Sequence, residues 1–330
     1  MRNLIDDHED RLVVSKMLKG AVMAHPNLKK LDHVNSVVSS PNDRQVVLIS
    51  GGGSGHEPLD LGYVGAGALD AAIVGDIFIP PSAEQIVQTV QYFGNKRPIL
   101  FIVKNFAADR NNFLKASEVL REQGYVVEIL IVDDDRSVDP ETKEPRRRGV
   151  AGTIFIHKLL GAAADKDYSM AQLLELGKKA IANLSTLGVA LSGAEIPNRQ
   201  LESFQLNSDE IAYGIGIHGE KGYRTEKYQS FERLSRELVN KLYAVSGSES
   251  GTSIAILVNG LGTLPLMDQF VFTRSVVNLF ELKGLHPELV KTGNYLTSYN
   301  MTGISITLFK IEDPNWIKLL NYDTTAFAWQ

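Results

Sequence analysis

The run Gly51-Gly52-Gly53-Ser54-Gly55-His56-Glu57-Pro58 constrains this chain more than any other stretch. It follows Val46-Val47-Leu48-Ile49-Ser50, an apolar segment that reads as a buried strand. Four glycines in five residues remove the Cβ atoms that would hold a ligand or a second backbone away. A histidine then stands at the lip of the turn. Open α/β folds build small-molecule sites where a strand ends in such a turn. Two nucleotide-binding patterns are absent. No Gly-Lys-Ser/Thr follows the glycines, and Gly51, Gly53 and His56 do not match G-x-G-x-x-G. The plain alternative is a tight strand–helix connection in which His56 only caps or packs.

Further strands are predicted at 71–74, 98–103 and 126–132, and helices at 11–24, 83–93, 113–123, 154–164 and 170–187. Strands alternating with helices predict an α/β fold with mostly parallel or mixed sheets covered by helices. At 330 residues two α/β domains are expected, 1–187 with the glycine-rich turn and 188–330 beyond it. The second holds a glycine-studded strand running from Ile211 to His218, a helix over 231–245, strands at 254–258 and 304–309, and a helix over 268–283. No repeat stands out.

A formal net charge of −5 gives no basic face for direct nucleic-acid binding. Arg146-Arg147-Arg148 reads as a solvated loop. The absence of cysteine excludes disulfides and thiolate metal sites. The N-terminus lacks a signal-peptide core, and no stretch approaches the roughly 20 apolar residues of a membrane span, so the expected location is cytoplasmic. Asp133-Asp134-Asp135 closes the strand over 126–132. These carboxylates suit a metal, a helix cap or ion pairs to the Arg146–Arg148 loop, and no metal is expected. Pro140 and Pro145 suggest that this loop is long and ordered.

Three positions share one design. His56 follows the glycine turn, Asp109 follows the strand 98–103 by way of Lys104, and His218 ends the strand carrying Gly214 and Gly216. Each sets an ionisable group just past a strand end, where the crevice of a parallel sheet opens. His8, His25, His33, His157 and His286 have no such context and read as structural or exposed.

Several motifs in order now carry a resemblance. The glycine run, Lys104-Asn105 with Asp109, Val132-Asp133-Asp134-Asp135, Arg147-Arg148-Gly149-Val150-Ala151-Gly152-Thr153 and Gly216-Ile217-His218-Gly219-Glu220 resemble the dihydroxyacetone-binding (DhaK) subunit of dihydroxyacetone kinase. Val258-Asn259-Gly260-Leu261-Gly262 and Thr297-Ser298 with Met301-Thr302-Gly303 extend the likeness nearly to the C-terminus. The resemblance implies that His218 adds to the ketone of dihydroxyacetone as a hemiaminal. A histidine with its ordinary pKa of about 6.5 is mostly neutral and nucleophilic at cell pH. It implies that Gly53, Ser54, Gly55, Lys104 and Asp109 hold the hydroxyls and that His56 and Asp109 assist proton transfer. Polyols lacking a carbonyl would be refused. It also implies a homodimer.

Within this family two roles diverge. The chain has no phosphate-cradling motif and binds no cofactor of its own, so as a kinase component it would need a DhaL-type, ADP-carrying subunit. Several positions depart from the kinase pattern. Asn-Tyr-Thr/Ser-Gly-Asp is Asn105-Phe106-Ala107-Ala108-Asp109, the small-residue and histidine run after Pro58 is Leu59-Asp60-Leu61, and Phe-Thr/Ala-Ser-Pro is Phe78-Ile79-Pro80-Pro81. Gly-Glu-Pro-Gly is Gly219-Glu220-Lys221-Gly222, and Thr-Ser-Leu-Asp-Met is Thr297-Ser298-Tyr299-Asn300-Met301. The ketone-gripping residues are kept, while those framing phosphoryl transfer or docking have drifted. That pattern resembles the DhaQ-type paralogues, coactivators that work with a TetR-type regulator, DhaS. The expectation is therefore a dihydroxyacetone-sensing coactivator, with the kinase subunit as the alternative and a binder of another short sugar such as glyceraldehyde as a weaker one.

Overall fold

The structure is a computed structural model that describes residues 5, 12–94, 96–139, 141–194, 206–220 and 222–329. His8, Pro140 and Lys221, used in the sequence reading, lie outside these residues. The first half is built from α1 (Val13–Ala24), β1 (Leu28–Lys30), β2 (Ser36–Ser39), β3 (Val47–Ser54), β4 (Ala71–Ile77), α2 (Ala83–Tyr92), β5 (Ile99–Lys104), α3 (Ala107–Glu122), β6 (Val127–Val132), α4 (Thr153–Ala164) and α5 (Met170–Ala182). The second half follows with β7 (Leu184–Ala190), β8 (Glu210–Tyr213), β9 (Arg224–Lys227), α6 (Phe231–Ser246), β10 (Ser253–Gly260), α7 (Leu266–Leu282), β11 (His286–Gly293), β12 (Gly303–Lys310) and α8 (Pro314–Leu320).

Two six-stranded sheets result, in the orders β1-β2-β4-β3-β5-β6 and β11-β10-β12-β7-β8-β9. In the first, β4, β3, β5 and β6 run parallel. In the second only β10 and β11 are parallel; every other pairing is antiparallel. Strand alternation splits the core. Val47 and Ile49 of β3 pack with Phe101 and with Phe113 of α3, while Leu48 shares a cluster with Leu100, Ile102 and α4. α4 is apolar nearly all round and wholly buried, as a helix between two sheets must be. Its Phe155 ring lies 5.4 Å from Phe309 of β12 and 5.9 Å from Trp329. Leu187 and Val189 of β7 face α6 and α7 on the far side of the second sheet.

Four differences from the sequence reading bear on the site. Gly51, Gly52 and Gly53 are not a turn: they extend β3 and pair with Ile73, Val74 and Gly75 of β4. Their missing Cβ atoms admit the chain that crosses the strand end, since a Cβ on Gly53 would stand 2.7 Å from the backbone N of Ile79. α3 begins at Ala107, not 113, so Asp109 sits in a helical first turn, where the helix dipole favours an acid. The helix expected over 170–187 stops at Ala182, and 184–190 is β7, which makes residue 188 part of a strand that opens at Leu184. Finally, β8 ends at Tyr213 and runs antiparallel to β7. His218 therefore lies in a loop turned by Gly214 (φ 69°), not at a strand end of a parallel sheet.

Candidate functional site

Lys104 closes β5 with a buried side chain. Its Nζ donates to Gly51 O at 2.9 Å and to Asp60 Oδ2 at 2.7 Å. A Cβ on Gly52 would stand 3.0 Å from that Nζ and 3.6 Å from Asp109 Oδ1, so the bare face of Gly52 is where the two groups converge. Asp109 is only 4% exposed. Burial pushes its carboxyl up, Lys104 and His218 oppose the shift, and Asp60 adds to it. Ser54 Oγ is buried without a protein partner. The Gly55 N–H is already committed to the Glu57 carboxylate at 2.9 Å, and the bare side of Gly55 accommodates the Phe78 ring.

His56 is buried and stacks on Phe78, with centroids 4.8 Å apart and planes 7° apart. Its Nδ1 lies 2.9 Å from Thr297 O. A carbonyl only accepts, so Nδ1 carries the hydrogen and Nε2 presents a bare lone pair. Burial, followed by the nearby His218, holds the ring well below its ordinary pKa, so it stays neutral. Nε2 has no protein partner. Thr297 is fixed in turn, its Oγ1 donating to Glu57 O at 2.8 Å.

His218 faces this group from the other sheet. It meets the rings of His56 (4.8 Å), Phe106 (4.7 Å) and Phe78 (5.7 Å), each close to perpendicular, and remains 24% exposed. Its Nδ1 lies 3.6 Å from Glu220 Oε1, while Glu220 Oε2 accepts the His218 N–H at 3.0 Å. Burial alone would raise the Glu220 carboxyl. The contacts with His218 and the guanidinium of Arg148 outweigh it and hold the group down to about 2. Ser298 Oγ pins the loop by donating to Ile217 O at 2.6 Å.

Arg148 corrects the reading of Arg146–Arg148 as a solvated run. It is buried, pairs with Asp135 at 2.7 Å, and donates to Ser137 Oγ at 3.0 Å and Gly214 O at 2.9 Å. It thereby ties the His218 loop to the end of β6. The carboxylate cluster is engaged in the same work. Asp134 accepts from Val150 N, Gly152 N and Thr186 Oγ1, and burial pushes it up to about 6. Asp133 lies 3.8 Å from Arg147. Among the described residues no group of three His, Cys, Asp or Glu side chains is arranged to hold a metal.

His56, Lys104, Asp109 and His218 are thus brought to one place, with Gly53, Ser54 and Gly55 forming the strand end beside them. Sequence reasoning passed over Glu220, Asp60, Phe78, Phe106 and Thr297 as working parts of the site. Glu220 was detectable, standing two residues from His218 and just after Gly219; Thr297 was not, being 241 residues from the histidine it orients. His157 is wholly buried, as a structural histidine would be, and neither ring nitrogen has a hydrogen-bond partner. A cavity of about 520 Å³ between β7, β12, α6 and α7 is lined by none of these residues.

The family of this fold and site is established by comparison. The Dak1 domain profile matches residues 19–328, and the chain belongs to the Dak1 family. It is 42% identical over 320 residues to the DhaKLM operon coactivator DhaQ of Lactococcus lactis subsp. lactis (strain IL1403), covering 96% of this chain and 97% of that protein. It is equally 42% identical over 319 residues to the PTS-dependent dihydroxyacetone kinase, dihydroxyacetone-binding subunit DhaK, of the same strain, covering 96% of each. A solved structure of a dihydroxyacetone kinase operon co-activator, Dha-DhaQ, superposes with a TM-score of 0.91 at 42% identity, covering 95% of this chain and 97% of that one. The dihydroxyacetone kinase of C. freundii superposes at 0.88 with 32% identity, covering 99% of this chain and 60% of that one. No helix among the described residues is long and apolar enough to cross a membrane.

Proposed function

We propose that this protein binds dihydroxyacetone covalently on His218 and acts as a ligand-sensing coactivator of a TetR-type, DhaS-like transcription regulator in the cytoplasm. The observation that carries the binding step is the pairing of His218 Nδ1 with Glu220 opposite the bare Nε2 of His56. With Nδ1–H turned to Glu220, the His218 Nε2 lone pair is the nucleophile. It forms a bond to the ketone carbon, and the carbonyl π pair becomes an alkoxide that takes up one proton. Asp109, whose carboxyl is pushed up by burial, is suited to supply that proton. The alkylated ring carries its positive charge beside the ionised Glu220; release of its Nδ1 proton to solvent, as Asp109 regains one, leaves a neutral adduct with the full mass of the ketone. Ligand hydroxyls would donate to His56 Nε2, and Lys104 would donate to a ligand oxygen.

The coactivator role is supported by what surrounds Asp109. Ala107 and Ala108 stand exposed at the start of α3, offering methyl groups where a transferring phosphate would need hydroxyls and open backbone. The second reading, a DhaK subunit served by a DhaL-type partner, is supported by the equal identity of 42% to the DhaK relative. Intact-protein mass spectrometry tests the binding step: one dihydroxyacetone mass is expected, and glycerol should add none. Phosphorylated DhaL then separates the roles. Formation of dihydroxyacetone phosphate on the order of 1 s⁻¹ or faster would make the protein a kinase subunit. Ligand-dependent association with a TetR-type regulator, without turnover, is the expected result. Sedimentation of the free protein tests the homodimer that the coactivator would form.

A further inference from the structure

Asp60 belongs to the segment Leu59-Asp60-Leu61 that follows the glycine run, and the binding step above leaves it without a task. It is 5% exposed. Oδ2 takes the Lys104 Nζ at 2.7 Å; Oδ1 lies 3.2 Å from Ser50 Oγ, whose one hydrogen is shared with Ile102 O at 2.8 Å, and 3.7 Å from His157 Nε2. The groups facing it are Ser50 from β3, Lys104 from β5, Asp109 from α3, His157 from α4, and Glu57 and Tyr63 on its own segment. Among these, Lys104 is the one cation and stands between two buried carboxylates, Asp60 and Asp109.

The ammonium has three N–H donors. Gly51 O and Asp60 take two, which fixes the direction of the third. We infer that Asp60 is a positioning residue: acting through Lys104, it aims the remaining ammonium N–H at the ligand and limits how much of that positive charge reaches Asp109. This rests on the reading of His218 as the covalent ligand site. With Asp60 ionised, Asp109 holds its proton more readily, as the effect of Asp60 on its carboxyl requires. Without Asp60, Lys104 turns wholly to Asp109, and both changes make Asp109 a weaker proton holder. His157, kept neutral by burial, adds no competing charge on the far side of Asp60.

The test has two readouts. Carboxyl ¹³C NMR of the free protein, with Asp109 assigned through Asp109→Asn, follows the Asp109 midpoint without any ligand. In Asp60→Asn that midpoint should fall by about one pH unit, and in Asp60→Glu, which keeps the charge, it should stay near the wild-type value. Intact-mass titration with dihydroxyacetone should show uptake weakened about tenfold in both variants, because both misplace Lys104. If Asp60→Asn does not fold, Ser50→Ala loosens Asp60 without removing it and should move the Asp109 midpoint the same way by less. An unmoved midpoint in the folded variant, whatever its melting temperature, overturns the inference. A moved midpoint in a protein whose wild type takes up no dihydroxyacetone upholds the coupling and sinks the covalent reading instead.

Discussion

The two histidines that meet edge to face at 4.8 Å stand on unlike ground. His56 follows the end of a parallel strand and is buried. Its ring is fixed by a carbonyl on one nitrogen and by Phe78 on one face. His218 rides a loop beyond an antiparallel strand, is partly exposed, and is steadied by a carboxylate that Arg148 holds in turn. The first wall is a preformed acceptor and donor surface. On the proposed reading, the second carries the group that would approach the ligand and form a bond. On that reading a ligand captured between them would join the two sheets, a physical basis on which a sensor would report occupancy to a partner.

The contrast is broken most completely at His218. His218→Ala should abolish the covalent mass shift, lowering uptake on the order of 100-fold or more, while melting within a few degrees of wild type, because a partly exposed loop side chain contributes little to the core. Loss of folding with it would mean that the loop histidine is structural after all. Arg148→Met tests whether the second wall depends on its buried strap. It leaves Asp135 without its cationic partner, with Ser137 still donating to it, and should destabilise the protein by about 3–5 kcal/mol in urea unfolding, with uptake falling even at temperatures where the variant is folded.

A pH measurement probes the ground beneath the first wall. Burial holds His157 down at about 4, against about 6.5 for an unfolded chain. As pH falls from 6.5 toward 4 the unfolded chain binds the proton first, so His157 draws stability from the fold in that window and has no effect above it. Relative to wild type, His157→Leu should therefore gain about 3 kcal/mol between pH 7 and pH 4. An equal difference at both pH values would show that the folded protein lets the imidazole take up its proton as readily as the unfolded chain does. The mildest change is Glu220→Gln, which keeps the shape beside His218 and removes the charge. Adduct formation should slow about 10- to 100-fold, with some loss of stability at neutral pH because the ionised carboxylate is favoured by His218 and Arg148 in the folded protein; an unaltered rate would leave Glu220 as a loop staple only.

Much of the first wall was legible along the chain. Val47-Leu48-Ile49 is buried on both faces, and such a run announces a parallel strand without reference to anything distant. The apolar spacing of α1, α2 and α6 was readable for the same local reason. What escaped was decided by pairing. Gly51–Gly53 read as a turn because glycine usually breaks a strand, yet β4 lies alongside and completes their hydrogen bonding. Arg148 read as solvated because its neighbours are arginines, whereas its partners lie on other elements: Asp135 13 residues away and Gly214 66 away. Asp60 and Lys104 are 44 residues apart and meet only because β3 and β5 are adjacent.

The chain alone determined that an apolar strand would end in bare backbone beside a histidine, since hydrophobicity and a missing Cβ are properties a residue carries wherever it is. Only the tertiary structure decided which nitrogen of His56 is free, which carboxylate attends His218 and how Lys104 divides its donors. Those outcomes depend on burial and on partners tens to hundreds of residues away, and a proton or a lone pair takes its state from such surroundings.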